Sequence, residues 1–180
     1  MTPRLQERYS KEIQPKLMTE FGIANRLAAP HLLKITLNVG VGKAMGDKKI
    51  IDAVTTTLTR ISGQKPVATK ARKSISNFKL RQGTVVGLMV TLRGKRMYEF
   101  MDKLINVTLP RVRDFQGIKR TAVDAQGNLN IGFKEHLVFP EIKSDSIDAM
   151  HGLEAAFSTT AKNREQGLRL FELFGIPFKK

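Results

Sequence analysis

Two segments of this 180-residue chain alternate apolar and polar residues with period two, and that alternation demands a sheet with one buried face. In "HLLKITLNVG", Leu33, Ile35, Leu37 and Val39 point one way and Lys34, Thr36 and Asn38 the other. In "TVVGLMVTLRG", Val86, Leu88, Val90 and Leu92 share a face, opposite Gly87, Met89, Thr91 and Arg93. Segments of helical period can cover such a face. Tyr9, Ile13, Leu17 and Phe21 predict a helix over residues 3–20 that ends near Gly22. Asp47 is a good N-cap for a second helix with Ile50, Ile51, Val54, Leu58 and Ile61 on its inner face, stopped by Gly63 and Pro66. A third begins near Lys95, buries Met97, Phe100, Met101, Leu104 and Ile105, and is expected to end before Pro110. "PVAT", "LNIGFKEHLVF" and "GLEAAFSTTA" read as further strands, and Asn163 with Gln166 makes a capping box for a last helix holding Leu168, Phe171 and Phe174. The expectation is one α+β domain over residues 1–180: a mostly antiparallel sheet, helices packed on one face, the other face open.

RNA enters through the charge. The net charge is +15, and no acidic residue stands between Asp52 and Glu99. That window holds Arg60, Lys65, Lys70, Arg72, Lys73, Lys79, Arg81, Arg93, Lys95 and Arg96, ten charges against the net fifteen. Six of them fall in "KPVATKARKSISNFKLRQG", residues 65–83, which has little periodicity and reads as a long exposed loop. A charge run is usually a solvated face or tail. This one lies mid-chain between strands, continues onto a strand and a helix start, and is interleaved with small residues and Phe78. The outward set Lys34, Thr36, Asn38, Thr91 and Arg93, joined to such a loop, makes a docking surface for RNA. Phe78 could stack on a base or anchor the loop to the body.

Other function classes find less support. With no Cys, disulfides, thiolate zinc sites and Cys nucleophiles are excluded. The apolar runs fall far short of the ~20 residues that span a bilayer, and the first residues lack a signal-peptide apolar core. A cytoplasmic protein with no membrane partner is expected. "NVGVGKAMGD" sets Gly40, Gly42 and Gly46 between strand and helix, but the dinucleotide spacing is one residue too long, and Gly46 is followed by Asp47 where a P-loop needs Lys. His31, His136 and His151 have no metal spacing, and no Ser-His-Asp set or carboxylate pair emerges. No enzyme and no cofactor is expected. A general RNA or DNA chaperone, or a nucleotide-dependent enzyme using the glycine loop, are the alternatives.

"LTRISGQKPVATKARKSISNFKLRQG", followed by "VTLRGKRMYEFMDKLI", "PRVRDFQG", "FPEI" and "GIPFKK", resembles bacterial large-subunit ribosomal protein five, a family of 5S rRNA-binding proteins, over nearly the whole chain. The resemblance implies a structural constituent of the large subunit that anchors 5S rRNA in the central protuberance. Its implied partners are 5S and 23S rRNA, P-site tRNA, small-subunit ribosomal protein thirteen and other 5S-associated ribosomal proteins. The family's 5S contacts fall on Asn38, Gln64, Thr91 and Arg93, three of them outward by the alternation above. Lys65, Lys95 and Arg96 join Arg93 as phosphate contacts. The family's tRNA-facing loop falls on residues 70–83, with Lys70, Arg72, Lys73, Ser74, Asn77, Lys79 and Arg81. Contacts with the small subunit fall within residues 110–145. Departures from the family pattern, such as His31, Gln116 and Glu154, lie outside the 5S face.

Overall fold

The computed structural model describes residues 2–42, 47–142 and 150–179. Its helices are α1 (Arg4–Arg8), α2 (Gln14–Phe21), α3 (Lys48–Ser62), α4 (Gly94–Lys103) and α5 (Arg164–Phe174). The strands β1 (Leu32–Gly40), β2 (Val67–Lys70), β3 (Val85–Leu92), β4 (Leu129–Phe133) and β5 (Leu153–Thr159) form a five-stranded antiparallel sheet in the order β2-β3-β1-β5-β4. The chain has the expected α+β architecture. It divides into two compact units whose boundaries fall inside β1, β3, β4 and β5. The first comprises residues 1–35, 92–131 and 155–180; the second comprises residues 36–91 and 132–154.

In the first unit, the N-terminal helical run buries Leu5, Tyr9, Ile13 and Leu17, one residue per turn. It is not one regular helix. A π turn, Tyr9–Ile13, separates α1 from α2 just before Pro15, and Gly22 closes α2 with φ 62°. A second π turn, Leu104–Thr108, precedes Pro110, and a 3₁₀ turn then carries the chain through that proline (Leu109–Arg111) where an end was expected. Proline offers no N–H and crowds the preceding turn, so a widened turn ahead of it lets the helical path continue.

Tyr9 stacks on Phe174 with ring centroids 5.9 Å apart, and its hydroxyl donates to the Pro30 carbonyl at 2.9 Å. Burial pushes the Tyr9 phenol well above its ordinary range. Asn163 caps α5 by accepting the Gln166 N–H at 2.9 Å, while Gln166 Oε1 accepts the Lys162 N–H at 3.0 Å. The turn before β5's partner segment is equally tied. The Asp124 carboxylate accepts from the Gln126 and Asn128 amides, and Asn128 Oδ1 accepts the Thr159 N–H. This turn brings Gly127 against Gly167 of α5 so closely that a Cβ on Gly167 would overlap the Gly127 backbone.

The second unit is built on α3, β2, β3 and the later part of β1. Leu37, Val39, Leu88 and Val90 are buried, as are Val54, Leu58 and Ile61 of α3. Asp47 caps α3 by accepting the Lys49 N–H at 2.9 Å, and Gly63 closes it with φ 66°. β4 ends at Phe133 and His136 starts a 3₁₀ turn, so only the first half of "LNIGFKEHLVF" is a strand. There His136 stacks on His151 with ring centroids 4.0 Å apart and planes 9° from parallel. Burial, then the His136 ring, hold the His151 imidazole below its ordinary range.

The strand alternation is realised in most positions; in β3, Val86 is only partly buried where it was expected inside, and Gly87, expected on the outer face, is buried under its neighbours. In β1, Leu32 is buried and Leu33 is 44% exposed, whereas Leu33 was expected inside; from Ile35 onward the parity is as expected. Ile50, Ile51, Ile105 and Leu168 are only partly buried. Among the described residues, no helix is long and apolar enough to cross a membrane.

Candidate nucleic-acid interface

The interface is assembled first within the second unit. β2 pairs antiparallel with β3 in a register that sets Val67 opposite Met89, Ala68 opposite Leu88 and Thr69 opposite Gly87. Residues directly opposite share a face, so Val67 and Thr69 join Met89, Gly87 and Thr91 on the side away from buried Leu88 and Val90. Asn38 of β1 belongs to the same row. A Cβ placed on Gly87 would lie 2.9 Å from Thr69 Oγ1, 3.0 Å from the Val39 carbonyl and 3.8 Å from Asn38 Oδ1. Only glycine fits between them, and the result is a flat floor flanked by a hydroxyl and an amide. Asn38, Thr69, Met89 and Thr91 are half-buried and Val67 is exposed.

Gln64 and Lys65 enter from the end of α3. The Gly63 N–H donates to the Thr59 carbonyl at 2.8 Å, and the Gln64 N–H donates to Ser62 Oγ at 3.1 Å. The left-handed cap turns the chain, leaving Gln64 half-buried and Lys65 exposed just ahead of β2. The remaining expected 5S contacts, Arg93, Lys95 and Arg96, belong to the first unit. Arg93 is the N-cap of α4, two residues beyond Thr91 along the chain, and all three cations are exposed.

The basic loop follows β2, and the β2–β3 register shifts between Thr69 and Lys70 as the strands run out into it. The loop is exposed, as expected, yet it is folded. The Ala71 N–H donates to the Thr84 carbonyl at 2.9 Å and the Gly83 N–H to the Ala71 carbonyl at 3.0 Å. Further out, Ile75 and Leu80 form an isolated antiparallel bridge around a 3₁₀ turn, Ser76–Phe78. Ser74 Oγ accepts the Gln82 N–H at 2.9 Å, so this hydroxyl serves the loop's own frame. Lys70, Arg72, Lys73, Asn77, Lys79 and Arg81 are exposed, and no ion pair among the described residues involves any of these five cations. Phe78 is 67% exposed, so it does not anchor the loop to the body.

Two residues of this candidate surface were missed in the sequence, Val67 and Thr69, which with the outward Met89 form an apolar and hydroxyl border beside Asn38. "PVAT" is too short for its alternation to declare a face, and only the register with β3 assigns one. Of the glycine loop, Gly40 and Gly42 have open space around them, while Gly46 lies outside the described residues. The Asp47 carboxylate already accepts the Lys49 N–H at the start of α3, where a nucleotide phosphate would have to bind.

Two family models match the chain. One, described as "Ribosomal protein L5", covers residues 25–81, and the other, "ribosomal L5P family C-terminus", covers residues 85–178. The chain belongs to the ribosomal protein L5 family. It is 52% identical over 179 residues to a protein of Ralstonia pickettii (strain 12J) named "Large ribosomal subunit protein uL5", covering 99% of both chains. It is also 52% identical over 180 residues to the protein of the same name in Anaeromyxobacter sp. (strain Fw109-5), covering all of both chains. The chain is therefore a structural constituent of the large ribosomal subunit, cytoplasmic in bacteria, and not an enzyme; the nucleotide-dependent alternative is set aside.

Proposed function

We propose that the half-exposed sheet face is the contact for 5S rRNA and that the basic loop faces P-site tRNA. The observation that carries the first part is the row of half-buried polar side chains, Asn38, Thr69 and Thr91, which lies opposite the buried Leu37, Leu88 and Val90 and is packed closely over Gly87. RNA helices present 2′-hydroxyls across a wide, shallow minor groove, and a flat face with an amide and hydroxyls suits that surface. Asn38, Gln64 and Thr91 fix register by hydrogen bonds to RNA shape and sugar. Lys65, Arg93, Lys95 and Arg96 supply phosphate contacts, which carry affinity but little sequence information. The loop's cations Lys70, Arg72, Lys73, Lys79 and Arg81, which make no ion pair among the described residues, suit a segment between two polyanions, where a carboxylate would be repelled from both sides.

The remaining partners follow from the same reading: 23S rRNA, other 5S-associated ribosomal proteins, and small-subunit ribosomal protein thirteen through residues 110–145, of which 143–145 lie outside the described residues. The test is a titration of the full chain against 5S rRNA and an equal-length unrelated structured RNA at several salt concentrations. About six phosphate contacts give a log–log salt slope of roughly −4 to −5. A preference of about a thousandfold for 5S rRNA at moderate salt is expected. Asn38→Ala should cost about tenfold of that preference, the worth of about one hydrogen bond to a polar group. Equal binding to both RNAs, vanishing with salt, would leave a general polyanion binder instead.

A further inference from the structure

We propose that Phe78 is a stacking platform for a nucleobase exposed at the surface of a folded RNA. The inference rests on the reading of residues 70–83 as RNA-facing and adds a contact that charge alone does not supply. Phe78 is 67% exposed and its neighbour Ile75 is 43% exposed, both at the far end of the loop. The backbone that carries the ring is nevertheless held in place. Ile75 and Leu80 exchange N–H to carbonyl bonds at 2.9 and 3.1 Å, the Phe78 N–H donates to the Ile75 carbonyl at 3.2 Å, and the Lys79 N–H donates to the Ser76 carbonyl at 2.9 Å. Lys79 adopts a left-handed φ of 49°, a conformation a non-glycine residue takes at some cost.

A short turn secured in this way, with an aromatic ring kept in water, has the form of a preorganised contact. The flanking charges select its partner. Lys73, Lys79 and Arg81 are exposed, make no ion pair among the described residues, and lie in a window with no acidic residue from 53 to 98. Cations that follow a phosphate backbone beside an aromatic face are the elements of base-stacking recognition, which tolerates any base because every base has a π face. An acidic protein partner would use the cations and leave the ring without a role.

The chain contains no Trp, so Phe78→Trp in the full-length protein gives an emission that reports on this one position. The probes are a tRNA transcript and heparin, a polyanion without bases. Saturating tRNA is expected to quench the emission, while heparin binds and leaves it unchanged. Phe78→Ala should weaken tRNA binding by about five- to a hundred-and-fifty-fold with an unaltered salt slope, and Phe78→Leu should not restore it. The same emission change with both polyanions, or Leu binding as well as Phe, overturns the proposal. Lys73→Ala with Arg81→Ala is the separating arm. If that pair weakens tRNA binding and Phe78→Ala does not, only the stacking falls; if neither does, the RNA-facing reading of the loop falls with it.

Discussion

The surroundings of α5 and the basic loop both carry exposed arginines and lysines, yet they treat them in opposite ways. Around α5, Arg120 and Arg169 are paired with carboxylates. Arg169 donates to both Glu20 oxygens at 2.6 Å and lies 3.4 Å from Glu172, which also accepts from Arg120 at 2.9 Å. Arg164 donates to the Arg120 carbonyl at 2.8 Å, and the Arg120 guanidinium lies 6.0 Å from the Phe178 ring centre. The side-chain bond to Arg169 holds the Glu20 carboxyl below its ordinary range. In the loop at residues 70–83 the cations have no ion-pair partner among the described residues, and backbone hydrogen bonds with one Ser74 hydroxyl contact hold the shape. Charge is neutralised where it braces the fold and left open in the loop, as the proposed contact with a polyanion requires. A long chain of paired ions would gain little from RNA, since binding would first have to break the pairs.

The contrast predicts that stability and RNA binding separate by region. The largest effect should come from the loop: replacing Lys70, Arg72, Lys73, Lys79 and Arg81 together by Gln should flatten the log–log salt slope of tRNA binding by about 3.5–4.5 units, at 0.7–0.9 per charge. The thermal midpoint should barely move, because exposed substitutions away from caps and packing usually change stability by under about 0.5 kcal/mol. A midpoint that collapsed in this variant would show that the loop's cations do structural work after all.

Gly167→Ala should do the reverse. Its Cβ would meet the Gly127 carbonyl carbon at 2.7 Å, and backbone on both sides cannot give way cheaply. Overpacking of this kind costs about 1–3 kcal/mol, which lowers the midpoint of a chain this long by about 2–12 °C, with the RNA salt slope unchanged. A calorimetric scan beside the salt titration reads both.

A smaller effect concerns His151 in the second unit. Its imidazole is held below its ordinary value of 6.5, so the folded state favours the neutral ring. That contribution is fully present above pH 6.5 and is lost as pH falls through the lower folded value. His151→Gln should therefore flatten the decline in stability as the pH falls below 6.5, measured by urea unfolding at each pH. Smallest of all should be Glu20→Gln, an exposed partner of Arg169. It should lower the midpoint slightly at low salt and not at all at high salt, where screening has already weakened the pair.

Much of the fold could be read in advance because it rests on local rules. Asp47, Asn163, Gly22 and Gly63 mark helix ends as their side chains or left-handed conformations require, and the alternation in β1 and β3 assigns their buried faces from Ile35 and Leu88 on. The acid-free window needed only the order of residues. Other features depend on partners distant in the chain. Leu32 rather than Leu33 turns inward, and neither residue's type distinguishes them. The stack of His136 on His151, fifteen residues apart, leaves no trace in spacing.

The candidate site divides along the same line. The amino-acid order by itself determined that the chain carries a polar sheet face, a window of ten basic residues and no acidic one around a loop, and a family signature, since charge sign, periodicity and capping are properties of neighbours. Tertiary structure alone decided that Thr69 and Asn38 flank the Gly87 floor, that Gly127 must meet Gly167, and that Phe78 stays in water on a folded turn. Those facts follow from strand register and close packing, which are set by the whole chain finding one mutual fit and which no single segment contains.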